Sequence, residues 1–150
     1  MQRSWQALIL TGSMAIFGCA GRPPAHIGVN DGHLAACPGS PNCVVSRTGS
    51  DRHFIDPFDY SGQRTEAMAV IRQVIQGMDG TRIATETDHY LHVTFESKWM
   101  GFVDDVEFYF PDRPVIHVRS ASRVGYYDFG VNRRRMETIR TLFQARKSAD

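Results

Sequence analysis

"HYLHVTFESKWMGFVDDVEFYFPDRPVIHVRSAS", residues 89–122, carries most of the information about the fold of this 150-residue chain. Apolar and polar side chains alternate in three runs of it, residues 89–97, 102–110 and 115–122, as they do in strands with one buried face. A further strand-like run, "TRIATE" at residues 81–86, precedes them. Because strands joined by short turns pair with their neighbours in sequence, we expect an antiparallel sheet of about four strands.

Two helices are expected beside this sheet. In residues 63–76, and in a last helix from about Asn132 to Ala145, apolar residues recur at helical spacing and form one stripe on each helix. The stripes consist of Ala67, Met68, Ile71, Val74 and Ile75 in the first helix and Met136, Ile139, Leu142 and Phe143 in the second. We therefore predict an α+β domain of two layers, with both helices packed on one face of the sheet.

Alternation also assigns the strand side chains to the two faces of the sheet. The apolar set expected against the helices is Leu91, Val93, Phe95, Phe102, Val106, Phe108, Phe110, Ile116 and Val118. If the apolar faces of neighbouring strands coincide, His92 lies opposite Glu107, and Glu107 lies opposite Arg119. These three residues, called the polar row below, would cross the sheet on the face away from the helices, with Arg123 close to Asp105.

Two interpretations of the polar row are open. In the first, it belongs to a solvated sheet face, where each cross-strand ion pair contributes less than about 1 kcal/mol. In the second, it is a recognition surface on which Arg119 and Arg123 bind a carboxylate or a phosphate group.

Asp104 is the carboxylate that alternation places on the apolar face. A carboxylate buried there needs hydrogen-bonding partners, and the register sets Ser122 opposite it. Backbone amides or an arginine of the following loop would complete the set. We interpret Asp104 and Ser122 as a structural clamp rather than as part of a catalytic site.

The segment that follows the sheet, "RVGYYDFGVNRRR" at residues 123–135, is rich in arginine. Asp128 or Asn132 is expected to cap the last helix. The arginines expected to gather at the helix start are Arg119, Arg123, Arg133 and Arg134. One hypothesis is an internal network in which Asp104, Asp105 and Asp128 neutralise them. The other is an anion site of helix amides and guanidinium groups. The residues assigned to that site are Arg119, Arg123, Arg133, Asn132, His92 and Glu107.

The N-terminus has the layout of a bacterial export signal. "MQRSWQALILTGSMAIFGC" has one arginine, then mostly apolar and small residues, and ends at Gly18 and Cys19. The apolar part is too short for a comfortable membrane span. Because the end resembles a lipobox, we expect residues 1–18 to be removed and Cys19 to be acylated, with palmitate. An ordinary cleaved signal and an uncleaved anchor are the alternatives.

Two further expectations follow from this lipobox. Ala20, rather than an aspartate, follows the cysteine, and by resemblance this favours the outer membrane, with the protein facing the periplasm. Residues 19–36 are rich in Pro, Gly and Ala and are expected to form a tether. The predicted organisation is therefore a signal peptide, this tether and a single domain at residues 37–150.

Cys37 and Cys43 bracket the tight loop "CPGSPNC". In an oxidising compartment two nearby cysteines usually pair, and with Cys19 acylated no odd thiol remains. We predict a disulfide, which would stabilise the fold by about 2 kcal/mol in the chain-entropy model. A metal or redox pair is the competing interpretation, although zinc ligand pairs normally lie closer together in sequence.

Sequence motifs for catalysis are not found. The six histidines are scattered, and there is no zinc-protease motif, phosphate-binding loop or dinucleotide fingerprint. We expect no metal and no cofactor, and assign no catalytic residue. A formal net charge of +1 argues against a nucleic-acid partner. An enzyme acting through the face around His92, Glu107 and Arg119 is the alternative to a binding domain.

Three motifs, "CPGSPNCVVS", "FVDDVEF" and "RSASRVGYYDFGVNRRR", occur in this order in the chain. Together they resemble the uncharacterised family known as domain of unknown function 1499, whose members are small proteins of bacterial envelopes and plastids. The resemblance covers roughly Cys37 to Phe143, with Tyr127 where smaller residues are common. It implies an envelope location and supplies no activity. We expect a lipid-anchored envelope protein that binds a small anionic ligand or a periplasmic protein.

Overall fold

The computed structural model describes Gly21 and residues 24–47 and 51–147. The expected signal peptide and Cys19 lie outside these residues. The elements are β1 (Val29–Asn30), β2 (His33–Leu34), β3 (Cys43–Val45), β4 (Phe58–Asp59), α1 (Arg64–Gln76), β5 (Thr81–Thr87), β6 (Tyr90–Glu96), β7 (Val103–Tyr109), β8 (Val115–Ser122) and α2 (Val131–Lys147). The α+β class and the two helices are as predicted. No described helix is long and apolar enough to cross a bilayer.

The main sheet has six antiparallel strands rather than about four. Its order is β3-β8-β7-β6-β5, and β4 also pairs with β8, beyond the end of β3. The four long strands, β5 to β8, are those expected from alternation. The additional strands β3 and β4 have three and two residues, too few to show a period of two.

The register of the three central strands is as predicted. His92 pairs with Glu107, and Glu107 pairs with Arg119. On the other face, Phe95 lies opposite Asp104, and Asp104 lies opposite Ser122. Short turns and the requirement that apolar faces coincide are sufficient to fix this alignment, since a shift by one residue would expose the whole apolar set.

Both helices pack on the apolar face of the sheet and enclose the main core with it. All five stripe residues predicted for α1 are buried. Two predictions for this core are wrong. Phe102 precedes β7 and is 38% exposed, and Leu142 lies at the rim of the α2 stripe and is 36% exposed. The buried polar residue Asn132 occupies the first turn of α2 instead.

The described part of the expected tether, residues 24–36, is not free of the domain. Asp31 and Gly32 both have positive φ, as a two-residue hairpin turn requires, and they join β1 to β2. We call β1, β2 and this turn the N-terminal hairpin. It packs on the sheet face away from the helices, where Leu34 forms a second apolar cluster with Val45 and Tyr90. The prediction of a tether is therefore wrong for this part.

The predicted disulfide is present. Cys37 and Cys43 are joined by a bond of 2.00 Å that closes a loop with a sequence separation of six. Cys43 is the first residue of β3, whereas Cys37 follows the N-terminal hairpin by three residues. The bond therefore fastens the segment that carries the hairpin to the edge of the main sheet.

Candidate functional site

The polar row is buried rather than solvated. Glu107 is 0%, Arg119 4% and His92 6% exposed, because the N-terminal hairpin covers this face of the sheet. The interpretation as a solvated face is wrong, since it took residues 24–36 to be a tether. The interpretation as an open recognition surface is also wrong, because the same three side chains are covered.

Glu107 accepts hydrogen bonds from three donors. Its Oε2 accepts from Nη1 of Arg119 at 2.9 Å, and its Oε1 accepts from the Tyr90 hydroxyl and from the Gly28 amide, each at 2.8 Å. Burial and the neighbouring Glu107 carboxylate raise the pKa of Tyr90, so its hydroxyl remains protonated and remains a donor. Among the described residues, Nε of Arg119 is the one buried polar side-chain atom without a hydrogen-bond partner.

Asp105 is a second fully buried carboxylate on this face of the sheet. Arg123 donates to both of its carboxylate oxygens at 2.9 Å, and Nε2 of His92 lies 2.8 Å from Oδ1. Burial alone would raise the pKa of Asp105, but the hydrogen bonds from His92 and Arg123 outweigh it and lower that pKa. The hydrogen bond with Asp105 in turn raises the pKa of Arg123. The expected proximity of Arg123 to Asp105 is confirmed.

Asp104, on the helix side of the sheet, is bound by an arginine that was not predicted. Nη2 of Arg135, from the second turn of α2, donates to its Oδ2 at 2.5 Å. The guanidinium group of Arg135 also lies 4.7 Å from the centre of the Phe95 ring. Ser122 faces Asp104 in the register, but its hydroxyl accepts from Asn132. Asp104 is therefore clamped to a helix rather than to the loop.

Asp128 caps α2 and occupies its amides. Its carboxylate accepts from the backbone amides of Gly130 and Asn132 at 2.9 and 2.8 Å. Burial raises the pKa of Asp128, but these backbone hydrogen bonds outweigh it, so the pKa lies below the ordinary range. The Asn132 side chain is fully buried and donates to the carbonyl oxygen of Asn42. The helix start consequently offers no open anion site at these amides.

The expected gathering of four arginines at this helix start is wrong. Arg119 lies on the opposite face of the sheet, and Arg123 is engaged by Asp105. Arg133 donates to the carbonyl oxygens of Arg52 and Phe54, and Arg134 donates to that of Phe129. Because strand alternation and the helical period point these side chains in different directions, closeness in sequence does not bring them together. Carboxylates and backbone carbonyls bind them separately.

A pocket of ≈ 280 Å³ lies between the N-terminal hairpin and the edge of the main sheet. Its lining consists of His33, Leu34, Val45, Ser46, Arg47, Arg113 and His117. Two arginines and two histidines therefore converge on one cavity, and none of the described lining residues is an Asp or a Glu. We call it the basic pocket. Basic side chains thus share one cavity here, whereas the arginines of the arginine-rich loop are bound separately by carboxylates and backbone carbonyls.

Hydrogen bonds within the basic pocket orient the ring of His117. Nη2 of Arg113 lies 2.8 Å from Nε2 of His117. An arginine can only donate, so Nε2 accepts, and the ring proton lies on Nδ1, 3.3 Å from the carbonyl oxygen of Ser46. Burial lowers the pKa of His117, and the charges of Arg113 and His33 lower it further, against the Ser46 hydrogen bond. The ring is therefore neutral at neutral pH.

Sequence reasoning missed the basic pocket because its residues come from four separate segments. His117 lies on the face away from the helices, beside Tyr109, with which its ring stacks at 6.3 Å. His33 lies in the expected tether, and Arg47 follows the short strand β3. The one available signal was "NDGH" at residues 30–33, a turn sequence typical of a two-residue hairpin.

Two kinds of side-chain cluster bear on metal binding and acid–base chemistry. Among them, no group of three or more His, Cys, Asp or Glu side chains is arranged to hold a metal ion. His92 and Asp105 form a close pair, but their side chains are 7% and 0% exposed and both are hydrogen-bonded within the fold.

Comparison with known proteins identifies the family. A family model described as "Protein of unknown function (DUF1499)" matches residues 33–143, and the chain belongs to this family. The match begins in β2 and ends in α2, so it includes part of the N-terminal hairpin. No curated protein and no solved structure matches the chain.

Proposed function

We propose that this member of the family is a lipid-anchored protein of the bacterial envelope that binds a small anionic ligand in the basic pocket, without catalysis. The anchor is Cys19, and the protein faces the periplasm from the outer membrane. The observation that carries the binding function is the convergence of Arg47, Arg113 and two histidines on a cavity with no described carboxylate in its lining.

Charge balance distinguishes the basic pocket from the three largely buried ion pairs of the fold. Arg119, Arg123 and Arg135 each have a carboxylate partner. The hydrogen bond of Arg113 in the pocket is to a neutral ring, which leaves its positive charge uncompensated there. An anion would supply the missing charge and accept from the guanidinium group, as carboxylates and phosphates do elsewhere.

The size of the cavity limits the ligand. A volume of ≈ 280 Å³ lies just below the range of about 300–1,000 Å³ for small-molecule sites, so it suits a compact anion such as a phosphate ester or a small carboxylic acid. Leu34 and Val45 supply an apolar wall. The Ser46 hydroxyl is already within hydrogen-bonding distance of the Val118 amide and the His117 ring, so it orients the site.

Two features support the envelope location. The disulfide between Cys37 and Cys43 is typical of exported proteins, because cytosolic thiols are kept reduced. The N-terminal stretch that ends at Gly18 and Cys19 resembles a lipobox, which supports lipidation of the third cysteine.

The binding function is tested by thermal unfolding, followed by circular dichroism, of the mature chain with inorganic phosphate, sulfate or citrate. An anion at about 100 times its dissociation constant stabilises a protein by about 2.7 kcal/mol. We expect an anion to raise the melting temperature of the wild type. The same anion should not raise the melting temperature of Arg113→Gln. Arg82→Gln is the matched control, because Arg82 is an exposed arginine on the far edge strand β5.

Equal stabilisation of Arg113→Gln and the wild type would place the anion elsewhere. Absence of stabilisation by any of the three anions would contradict the choice of a small anion and would leave a protein partner as the ligand of this domain.

A further inference from the structure

Two loops of the domain expose aromatic and other large apolar side chains. Trp99 is 97%, Tyr126 71% and Phe129 78% exposed. The full set is Trp99, Met100 and Phe102 in the turn between β6 and β7, Tyr126, Tyr127 and Phe129 in the loop leading into α2, and Val131, the first residue of α2. We call this set the aromatic end. Exposed apolar side chains concentrated in this way usually mark an interaction surface.

Strand pairing brings the two loops to the same end of the sheet. The amide of Ser97 donates to the carbonyl of Phe102 at 2.9 Å and closes the β6–β7 turn. The amide of Arg123, at the start of the second loop, donates to the carbonyl of Val103 at 3.0 Å. Both loops therefore leave the sheet side by side.

The side chains of the aromatic end are of the kind found at membrane interfaces. Tryptophan and tyrosine combine a flat apolar ring with a polar group, and they concentrate at the level of lipid headgroups. The rings of Tyr127 and Phe129 contact each other edge to face at 5.1 Å, with both residues largely exposed. A bilayer interface is a surface that accepts such a set without a matching pocket.

The chain enters the domain at this same end. An added Cβ on Gly21 would lie 3.0 Å from Cβ of Arg123 and 3.0 Å from Cγ1 of Val124, so Gly21 packs against the second loop. Cys19 is two residues earlier, and extended chain spans at most about 7 Å over that distance. The lipid group of the proposed anchor is therefore attached close to the aromatic end.

We propose that the aromatic end inserts into the headgroup region of the membrane leaflet that holds the anchor. This inference rests on the lipid anchor of the proposed function. It also orients the domain. Arg113 of the basic pocket lies in the turn beyond Tyr109, at the other end of β7, and strand geometry separates the two ends by about 20 Å. The pocket then opens to the aqueous side.

The native tryptophan provides the test. The chain has two tryptophans, Trp5 and Trp99, and removal of the signal peptide leaves Trp99 alone. The mature lipidated protein is reconstituted into phosphatidylethanolamine–phosphatidylglycerol vesicles, with and without phosphatidylcholine brominated in its acyl chains. We expect bromination to quench the fluorescence of Trp99. In the matched control, Trp99→Phe with Asp112→Trp, the tryptophan lies at the opposite end, and its fluorescence is retained.

Mass spectrometry of the same sample separates this inference from the proposed anchor. If Cys19 carries lipid and Trp99 is quenched no more than the tryptophan at position 112, docking of the aromatic end is refuted and the anchor stands. If Cys19 carries no lipid, the anchor is refuted and the docking falls with it. Neither outcome changes the test of the basic pocket.

Discussion

The backbone amide of Gly28 donates a 2.8 Å hydrogen bond to the fully buried carboxylate of Glu107, 79 positions later in the chain. This contact ties the segment preceding the N-terminal hairpin to the centre of the main sheet. It explains why a face that alternation marks as polar is closed to solvent. It also means that the charges beneath the hairpin must balance one another, which Glu107 and Arg119 do.

Replacement of Glu107 is therefore expected to be costly. Glu107→Gln leaves the charge of Arg119 buried and uncompensated, and it should lower the free energy of unfolding by about 3 kcal/mol in urea denaturation. The matched control is Glu137→Gln, because Glu137 also pairs with an arginine, Arg140, but is half exposed. That change should cost about 0.5 kcal/mol or less. Similar losses in the two variants would show that burial of the charge does not set the cost.

Stability should fall in acid. The pKa values of Asp105 and Asp128 are lowered in the folded state, so both carboxylates bind protons more readily when the chain unfolds. Their contribution is complete above the unfolded pKa of about 3.9 and is lost as pH falls through the lower folded values. We expect Asp128→Asn, which keeps a capping oxygen, to lose less stability than the wild type between about pH 5 and pH 3. The free energy of unfolding is measured by urea denaturation at each pH. An equal fall for the two proteins over this pH range would contradict the prediction.

Gly80 is expected to tolerate no side chain. Its φ is +69°, and an added Cβ would lie 2.4 Å from the carbonyl oxygen of Glu96, whose amide donates to Gly80. Gly80→Ala should lower the free energy of unfolding by more than about 1 kcal/mol. Gly77, three residues earlier, has an ordinary φ and room for a Cβ, so Gly77→Ala should be nearly neutral. Equal melting temperatures for the two variants would refute this.

Reduction of the disulfide should have a small but measurable effect. Closing the loop between Cys37 and Cys43 is worth about 2 kcal/mol in the chain-entropy model, because the loop is short. Urea unfolding with and without a reductant should differ by about this amount. The Cys37→Ser, Cys43→Ser variant should match the reduced protein and be insensitive to reductant. If the reductant also lowered the stability of this variant, its effect on the wild type could not be assigned to the disulfide.

The centre of the sheet could be predicted from sequence, whereas its covering could not. Alternation and two short turns place His92, Glu107 and Arg119 in one row, since a shift by one residue would bury the polar set and expose the apolar one. Whether that row is exposed depends on strands of two residues in the hairpin, and such strands have no period to detect. The error about burial was therefore an error about residues 24–36, not about the row.

The same limit applies to the candidate site. Asp105, Asp104 and Asp128 were expected to neutralise arginines, and the first two do so. The identity of the partner of Asp104 depends on the position of α2 over the sheet, which the helical period does not specify. The basic pocket combines the hairpin, β3, a turn and β8, so its residues share no motif from which it could be read.

The most direct measurement is a nuclear magnetic resonance pH titration of the six histidine rings with and without inorganic phosphate. Burial and neighbouring positive charges lower the pKa of His117 in the free protein. A phosphate bound beside it would favour the protonated ring, so we predict that phosphate raises the pKa of His117. We also expect phosphate to change the ring resonances of His117 and His33, which line the pocket, more than those of the other four histidines. An unchanged titration of His117 at saturating phosphate, or equal shifts in all six rings, would contradict anion binding in the basic pocket.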